Sequence, residues 1–550
     1  MTHSVDHLMT SARASGIKLW EENGSLRFRA PRGAMTTELR NQIKANRKAI
    51  IDRLRAESTP ALREDPEHRY EPFSLTDIQA AYLLGRSSSF QGGGTACHAY
   101  LEINMGPIDT ARLEGAFDRL IERHGMLRTS FHRSGYQQTH PLSEIRRRPI
   151  TVVDAAHLPR LRDRLSHQIL DADRPPLMEL AISRGERPAD DRLHLSIDFL
   201  VTDWTGMTLM IDQLVALHAD PHADLGPEGP SFRDYVVSTE LDEDSPRAAQ
   251  DHSFWTERLK NLPGAPELPG PAPAAGPDGP VTFTRHAHAL DADATCRFMD
   301  LARKINVSPA ALAMSGYARV LGEWAQDPEF TLVATLLDRQ ALHPRIDALV
   351  GDFTSTGLVR VTRTDTTDAE RARTISRELA DVLDHRACSG VAVMRDLNRL
   401  SGGTQRTFPY VFTAAIDPAR GHRAEQSRAW RITGGITQTP QVFVDCQVSV
   451  LGGCLCVNWD VRDGTIEPTV IDAMFHRFTA WLTGEASESL SESEAMRGRA
   501  LGMAREEPPL FVGGGGCCLH GRFFEVAGAD PGRVAVIDAR GEHGFGEVAR

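Results

Sequence analysis

Two aspartates five residues apart stand in the segment HLSIDFLVTDWTGMTLMIDQLVALH, and a carboxylate held in the right surroundings can take or give a proton. Leu193, Leu195, Ile197 and Phe199 alternate with His194, Ser196 and Asp198, which predicts a half-buried strand presenting Asp198 on its other face. Helical spacing takes over through Met207, Met210, Ile211 and Leu214, with Asp203 and Thr205 at the junction. A carboxylate in front of a helix is as good a cap as an acid–base group, so the spacing leaves Asp203 open between the two. Cys454 and Cys456 fall on one face of a strand, and Cys517, Cys518 and His520 form a second cluster. Neither has the paired spacing or the four ligands of a zinc site, and no metal is expected.

The elements that must position these groups follow from length and pattern. A chain of 550 residues exceeds what one hydrophobic core supports, so two or more domains are expected. The net charge of -12 argues against nucleic acid or an anionic membrane surface as partner. No apolar run is long enough to span a bilayer, and MTHSVDHLMTSARASG has no signal-peptide core, so the expected location is cytoplasmic. Eight scattered cysteines would then stay reduced.

Residues 1–57 read as a helix, a β-hairpin and a helix. Ile17-Lys18-Leu19-Trp20 and Leu26-Arg27-Phe28-Arg29 alternate around Asn23-Gly24. Thr36 or Thr37 can then cap a helix carrying Leu39, Ile43, Ile50, Ile51 and Leu54. A polar linker (58–70) leads to two stretches of mixed helices and strands, 71–260 and 281–490. They are divided by NLPGAPELPGPAPAAGPDGP, a run that forms neither helix nor central strand. A second linker (491–516) precedes a new segment, 517–550.

Six motifs then stand in one order between residues 73 and 447. They are Phe73-Ser74-Leu75-Thr76-Asp77-Ile78-Gln79-Ala80-Ala81-Tyr82-Leu83-Leu84-Gly85-Arg86; Arg123-His124-Gly125-Met126-Leu127-Arg128; Asp198 to Asp203; Gly351-Asp352-Phe353-Thr354; Pro409-Tyr410-Val411-Phe412-Thr413; and Gln438-Thr439-Pro440-Gln441-Val442-Phe443-Val444-Asp445-Cys446-Gln447. In this order they resemble the heterocyclization domains of non-ribosomal peptide synthetases. Ordinary condensation domains carry a second histidine where this chain has Phe199, which can neither take nor give a proton.

The resemblance implies an α/β fold of two chloramphenicol-acetyltransferase-like lobes forming a V-shaped pseudo-dimer. It implies that an upstream acyl thioester is joined to a carrier-bound Cys, Ser or Thr, whose side chain is then closed into a thiazoline or oxazoline with loss of water. Asp445 becomes the proton-moving carboxylate, Thr413 the hydroxyl that orients it or relays its proton, and Gln447 a tunnel residue of the same motif. Asp198 and Asp203 become carboxylates that pair with arginines or take part in catalysis.

Two positions depart from the family pattern. Gly206 replaces a usual Ser, and Asp338 replaces a usual Asn, where an extra carboxylate facing the site could alter its proton balance or pair with Arg339. Residues 1–57 resemble the docking domains that begin synthetase subunits, with Lys18, Arg27 and Arg29 as the edge for an acidic tail of the preceding subunit. Residues 517–550 resemble the start of an adenylation domain, truncated at Arg550. No cofactor is expected on this chain, the phosphopantetheine arms of the donor and acceptor carrier proteins delivering the substrates. A domain that condenses without cyclizing and a non-catalytic carrier-docking platform remain open.

Overall fold

The structure, a computed structural model, describes residues 17–22, 25–29, 37–51, 62–88, 92–240, 245–270, 281–362, 367–400, 406–416, 428–484, 534–538 and 541–544. Strands β1 (Lys18–Glu22) and β2 (Ser25–Arg29) pair antiparallel, Lys18 with Arg29 and Glu22 with Ser25, the register an Asn-Gly turn demands. Helix α1 (Thr37–Ala45) gives way to a turn at Asn46 and helix again over 47–51, the i→i−4 ladder continuing with Ile50 N donating to Asn46 O at 2.9 Å. Leu39, Ile43 and Ile50 pack on Leu19 and Leu26 of the ribbon. The expected first helix, Thr36 and Leu54 lie outside the described residues.

The first motif builds strand β3 (Phe73–Ser74) and helix α2 (Asp77–Gly85). A capping box starts the helix: Thr76 Oγ1 accepts from Gln79 N at 3.3 Å, and Gln79 Oε1 from Thr76 N at 3.1 Å. There follow β4 (His98–Asn104), α3 (Thr110–Arg123), β5 (Thr129–His132), β6 (Tyr136–Thr139), β7 (Thr151–Val153), α4 (Leu158–Ser166), β8 (Met178–Ser183), β9 (Arg192–Asp198) and α5 (Trp204–Ala219). Apolar residues of α3 and α5 cover one face of the sheet formed by β4, β9 and β8; Leu161 and Leu165 of α4 meet Tyr100 and Ala181 on the other.

Strand β9 departs from the half-buried expectation. Every residue from Leu193 to Asp198 is buried, because His194 and Ser196 find partners within the sheet and Asp198 finds Arg86. His194 bonds Ser183 Oγ and Tyr100 Oη, each at 2.8 Å, and His98 bonds Ser196 Oγ at 2.8 Å. Burial pushes His98 down to about 3 and His194 to about 4, so both rings sit neutral in the layer.

Helices α6 (Phe232–Glu240) and α7 (Pro246–Leu259) lead to the Pro-rich crossing. Beyond it run β10 (Phe283–Ala289), α8 (Ala292–Ile305), α9 (Pro309–Trp324), β11 (Phe330–Leu337), β12 (Thr354–Val361), α10 (Asp368–Asp384), α11 (Gly390–Leu400), β13 (Tyr410–Ala415), β14 (Arg431–Gln438), β15 (Val444–Leu451), β16 (Cys454–Arg462) and α12 (Pro468–Thr483). Six of these strands form one mixed sheet in the order β10-β16-β15-β13-β11-β12.

The exception is β14, which leaves its own lobe and pairs antiparallel with β4 as the edge of the first sheet. Leu342, Ile346, Leu349, Val350 and Phe353 likewise join the first lobe's core. The lobes are therefore interlaced, and the sequence boundary at residue 281 is not a boundary in space. Where β14 returns, a Cβ at Gly85 would stand 2.2 Å from Pro440 Cβ, so the end of α2 and the Gln438–Gln447 motif meet at a contact that only glycine allows. Strands β17 (Val534–Asp538) and β18 (Gly541–Gly544) pair antiparallel within a separate unit, 488–550.

Candidate active site

Successive residues of a strand face opposite sides, and β15 uses both. Cys446 and Val448 turn into the core, while Asp445 and Gln447 line a cavity of about 2500 Å³ that Thr335, Thr413, Thr437, Asn458 and Arg285 also line. This is well beyond the several hundred cubic ångströms of a usual small-ligand pocket. Strands β13 and β15 run parallel with Thr413 level with Gln447, which sets Thr413 beside Asp445.

The Thr413 hydroxyl donates to Asp445 Oδ1 at 3.0 Å and lies 2.9 Å from the hydroxyl of Thr335, the residue level with it on β11. The Gln447 amide donates to Asp445 Oδ2 at 2.8 Å. Burial pushes the Asp445 carboxyl up to about 6, against the Gln447 and Thr413 hydrogen bonds, with the nearby charge of Asp460 adding to the rise. A carboxyl poised there can both accept and return a proton near neutral pH.

Asp445, Thr413 and Gln447 are thus brought together. Asp198 and Asp203 are built into something else. The Asp198 carboxylate pairs with Arg86, the last residue of the opening motif, and Oδ1 accepts from Leu200 N at 3.0 Å. Asp203 caps α5, accepting from Gly206 N at 2.6 Å, and pairs with Arg339 at 3.2 Å. The Arg339 guanidinium stacks 3.9 Å from the Phe353 ring centroid and donates to Leu349 O at 2.6 Å. Burial raises both carboxyls, and in each case the arginine works in the opposite direction.

At Gly206, a Cβ would stand 2.4 Å from Thr202 Oγ1, so a side chain here would force Thr202 to move. Asp338 does line the cavity, but its partner is Arg386 at 3.0 Å and not Arg339, because Asp203 holds Arg339. Phe199 lines the cavity as well.

Sequence reasoning does not single out four residues of the site. Thr335 and Thr437 lie on strands whose partners are distant in the chain. Asp460 stands opposite Asp445 across the β15–β16 hairpin, and Arg285 opposite Asp460 on β10. Among the described residues no group of three or more His, Cys, Asp or Glu is arranged to hold a metal, and no helix is long and apolar enough to cross a membrane. Cys517, Cys518 and His520 lie outside the described residues.

Two interlaced α/β lobes around a large cavity with an acid–hydroxyl pair define an acyl-transferring condensation fold. The condensation-domain model matches residues 71–478, and that of the TubC N-terminal docking domain residues 5–55. The chain belongs to the condensation-domain family of non-ribosomal peptide synthetases, in its heterocyclization branch, preceded by a TubC-type docking domain. The branch follows from the first of three similar proteins. The cyclization-docking bidomain of EpoB from Sorangium cellulosum superposes with a TM-score of 0.76 at 30% identity, covering 89% of this chain and 99% of that one. The pyochelin synthetase PchF of Pseudomonas aeruginosa is 35% identical over all of this chain and 30% of its own length. The phenyloxazoline synthase MbtB of Mycobacterium tuberculosis is 34% identical over 87% of this chain and 34% of its own. The chain thus spans about a third of the length of these two curated relatives.

Proposed function

We propose that this chain condenses an acyl or peptidyl thioester, borne on an upstream carrier protein, with a carrier-bound Cys, Ser or Thr, and then closes the ring by cyclodehydration. The single observation that carries the second half is Asp445, desolvated, hydrogen-bonded to Thr413 and facing the cavity.

In the first step the amine attacks the thioester carbonyl; the C–N bond forms, the C–S bond breaks, and the donor carrier's thiol leaves with a proton. With Phe199 where a basic histidine would stand, this step rests on holding two reactive groups together. In the second step the side-chain thiol or hydroxyl adds to the new amide carbonyl, its proton passing by way of Asp445 to the carbonyl oxygen. In the third, Asp445 takes the proton from the nitrogen and delivers it to the departing hydroxyl, and water leaves as C=N forms. Thr413 holds Asp445 in line through both.

Asp198 and Asp203 take the architectural part, fixing Arg86 at the end of α2 and Arg339 at the cavity wall. The substrates arrive on phosphopantetheine arms, and no cofactor resides in the chain. Residues 517–550 read as the beginning of an adenylation domain, of which the β17–β18 pair is the described part.

The test supplies two carrier proteins in trans, one acylated and one loaded with cysteine, and weighs the pantetheine-bound product. Loss of one further water from the condensed product is expected. A condensed product that keeps its water would make this a condensation-only domain, with Asp338 the first residue to revert to asparagine. Absence of transfer with verified cognate carriers would favour a docking platform.

The N-terminal ribbon is the proposed seat of the upstream subunit. It is a two-stranded sheet, so an extended acidic tail can add a strand along it, with Lys18, Arg27 and Arg29 supplying the charge. Arg27 is exposed, while the Lys18 and Arg29 side chains lie outside the described residues. Arg27→Glu with Arg29→Glu should weaken association with the preceding subunit on the order of tenfold at low salt, and less at high salt. Calorimetric titration with that subunit's tail checks this, and unchanged affinity would remove the edge from the proposal.

A further inference from the structure

Behind the acid–hydroxyl pair lies a second charged pair, with Arg285 at the cavity wall and Asp460 shut away from it. Asp460 is 1% exposed and is not among the cavity-lining residues. It accepts from Arg285 Nε at 2.6 Å and Nη2 at 2.5 Å, from Thr437 N at 2.9 Å, and from the Thr437 hydroxyl at 2.6 Å. Gln447 joins it to Asp445. The Gln447 carbonyl accepts from Arg285 Nη2 at 3.3 Å, which fixes which end of the amide faces which way. Its NH₂ is thereby turned to Asp445 Oδ2 at 2.8 Å, Thr437 Oγ1 at 2.6 Å and Asp460 Oδ2 at 3.1 Å. One amide therefore bridges the cavity-lining carboxylate of Asp445 and the buried one of Asp460, and one arginine orients that amide.

We propose that Asp460 and Arg285 are a positioning pair which, through Gln447, keeps Asp445 able to carry the proton that cyclodehydration moves. The inference rests on Asp445 being the proton carrier. An unbalanced carboxylate beside Asp445 favours its protonated form, and a cation favours its ionised form, so the two members act on it in opposite senses.

The other groups near Asp445 do not supply this control. Thr413 and Thr335 on β13 and β11, Thr437 on β14 and Asn458 on β16 do not titrate near neutral pH. Tyr82 of α2, Tyr317 of α9 and Cys446 beside it are held well above their ordinary values by burial and stay neutral.

The experiment follows cyclodehydration against pH in the full chain with carriers in trans, the condensed uncyclized product of the same reaction serving as internal reference. Asp460→Asn should move the pH limb of the ring-closing step to lower pH, and Arg285→Met to higher pH, each on the order of one pH unit. Arg285→Lys, which keeps the charge, should leave the limb near its wild-type position. Loss of rate at every pH with an unmoved limb, or movement in the same direction for both variants, overturns the proposal. If Asp460→Asn fails to melt cooperatively, the contrast between Arg285→Met and Arg285→Lys decides alone. Asp445→Asn is the control: if it still cyclizes, the reading of Asp445 itself has failed, whereas a dead control with unmoved limbs removes only the role of the pair.

Discussion

Replacing Asp445 by asparagine is expected to leave amide formation largely intact and to slow cyclodehydration on the order of 10²–10⁴-fold. The separation follows from what each step demands. Amide formation needs an amine near its own reactivity and a thioester held beside it, which an asparagine at this position would not disturb. Ring closure needs a proton taken from a thiol or hydroxyl and delivered to a poor leaving oxygen. Asparagine keeps the volume and an acceptor for the Thr413 hydroxyl, so the hydrogen bond at Oδ1 can survive while the proton store is lost. Thr413→Val should fall between wild type and Asp445→Asn, because the carboxyl remains but loses one of its two side-chain anchors. Mass measurement of condensed and ring-closed pantetheine products in one time course separates the steps. Equal loss of both from Asp445→Asn would make the residue part of the frame instead.

What the sequence could and could not reveal divides by distance along the chain. The β15–β16 turn is Gly452-Gly453, both with positive φ, so the hairpin register can be counted from the turn: Leu451 meets Cys454, and Asp445 meets Asp460. Asp460 is therefore legible from LGGCLCVNWD, where the two cysteines draw attention away from it. Arg285 is not, since it reaches Asp460 through a pairing between β10 and β16 whose register no local signal fixes. The crossing of β14 to β4 is of the same kind, joining residues more than 300 positions apart.

Strand β9 shows a different limit. Its alternation is real, but alternation reads as one wet face only when the polar side chains lack partners inside the protein. Here His98, Tyr100 and Ser183 supply them from two neighbouring strands. The same concealment applies to Asp198. Its arginine lies in a motif more than 100 residues earlier, so spacing alone leaves the carboxylate undecided between chemistry and support.

That division can be tested by removing the carboxylate. Asp198→Ala should destabilise the chain by about 3–5 kcal/mol. The Asp198 side chain is 0% exposed and that of Arg86 7%, so the cation would stay buried, held by its Nη1 bond to Leu170 O and without a counter-charge. Leu200 N would lose its acceptor too. Thermal melting should show a drop of roughly 5 °C, and both catalytic steps should fall together. The double replacement Arg86→Leu with Asp198→Leu removes both charges and should melt above either single variant, because an unpaired buried charge costs more than an absent pair. A structural pair predicts this rescue of stability, whereas a catalytic carboxylate predicts an Asp198→Asn protein that melts like the wild type and yet makes no product. The second outcome would move Asp198 from the frame into the chemistry. Asp203 would have to be tested next, since it is held by Arg339 in the same manner.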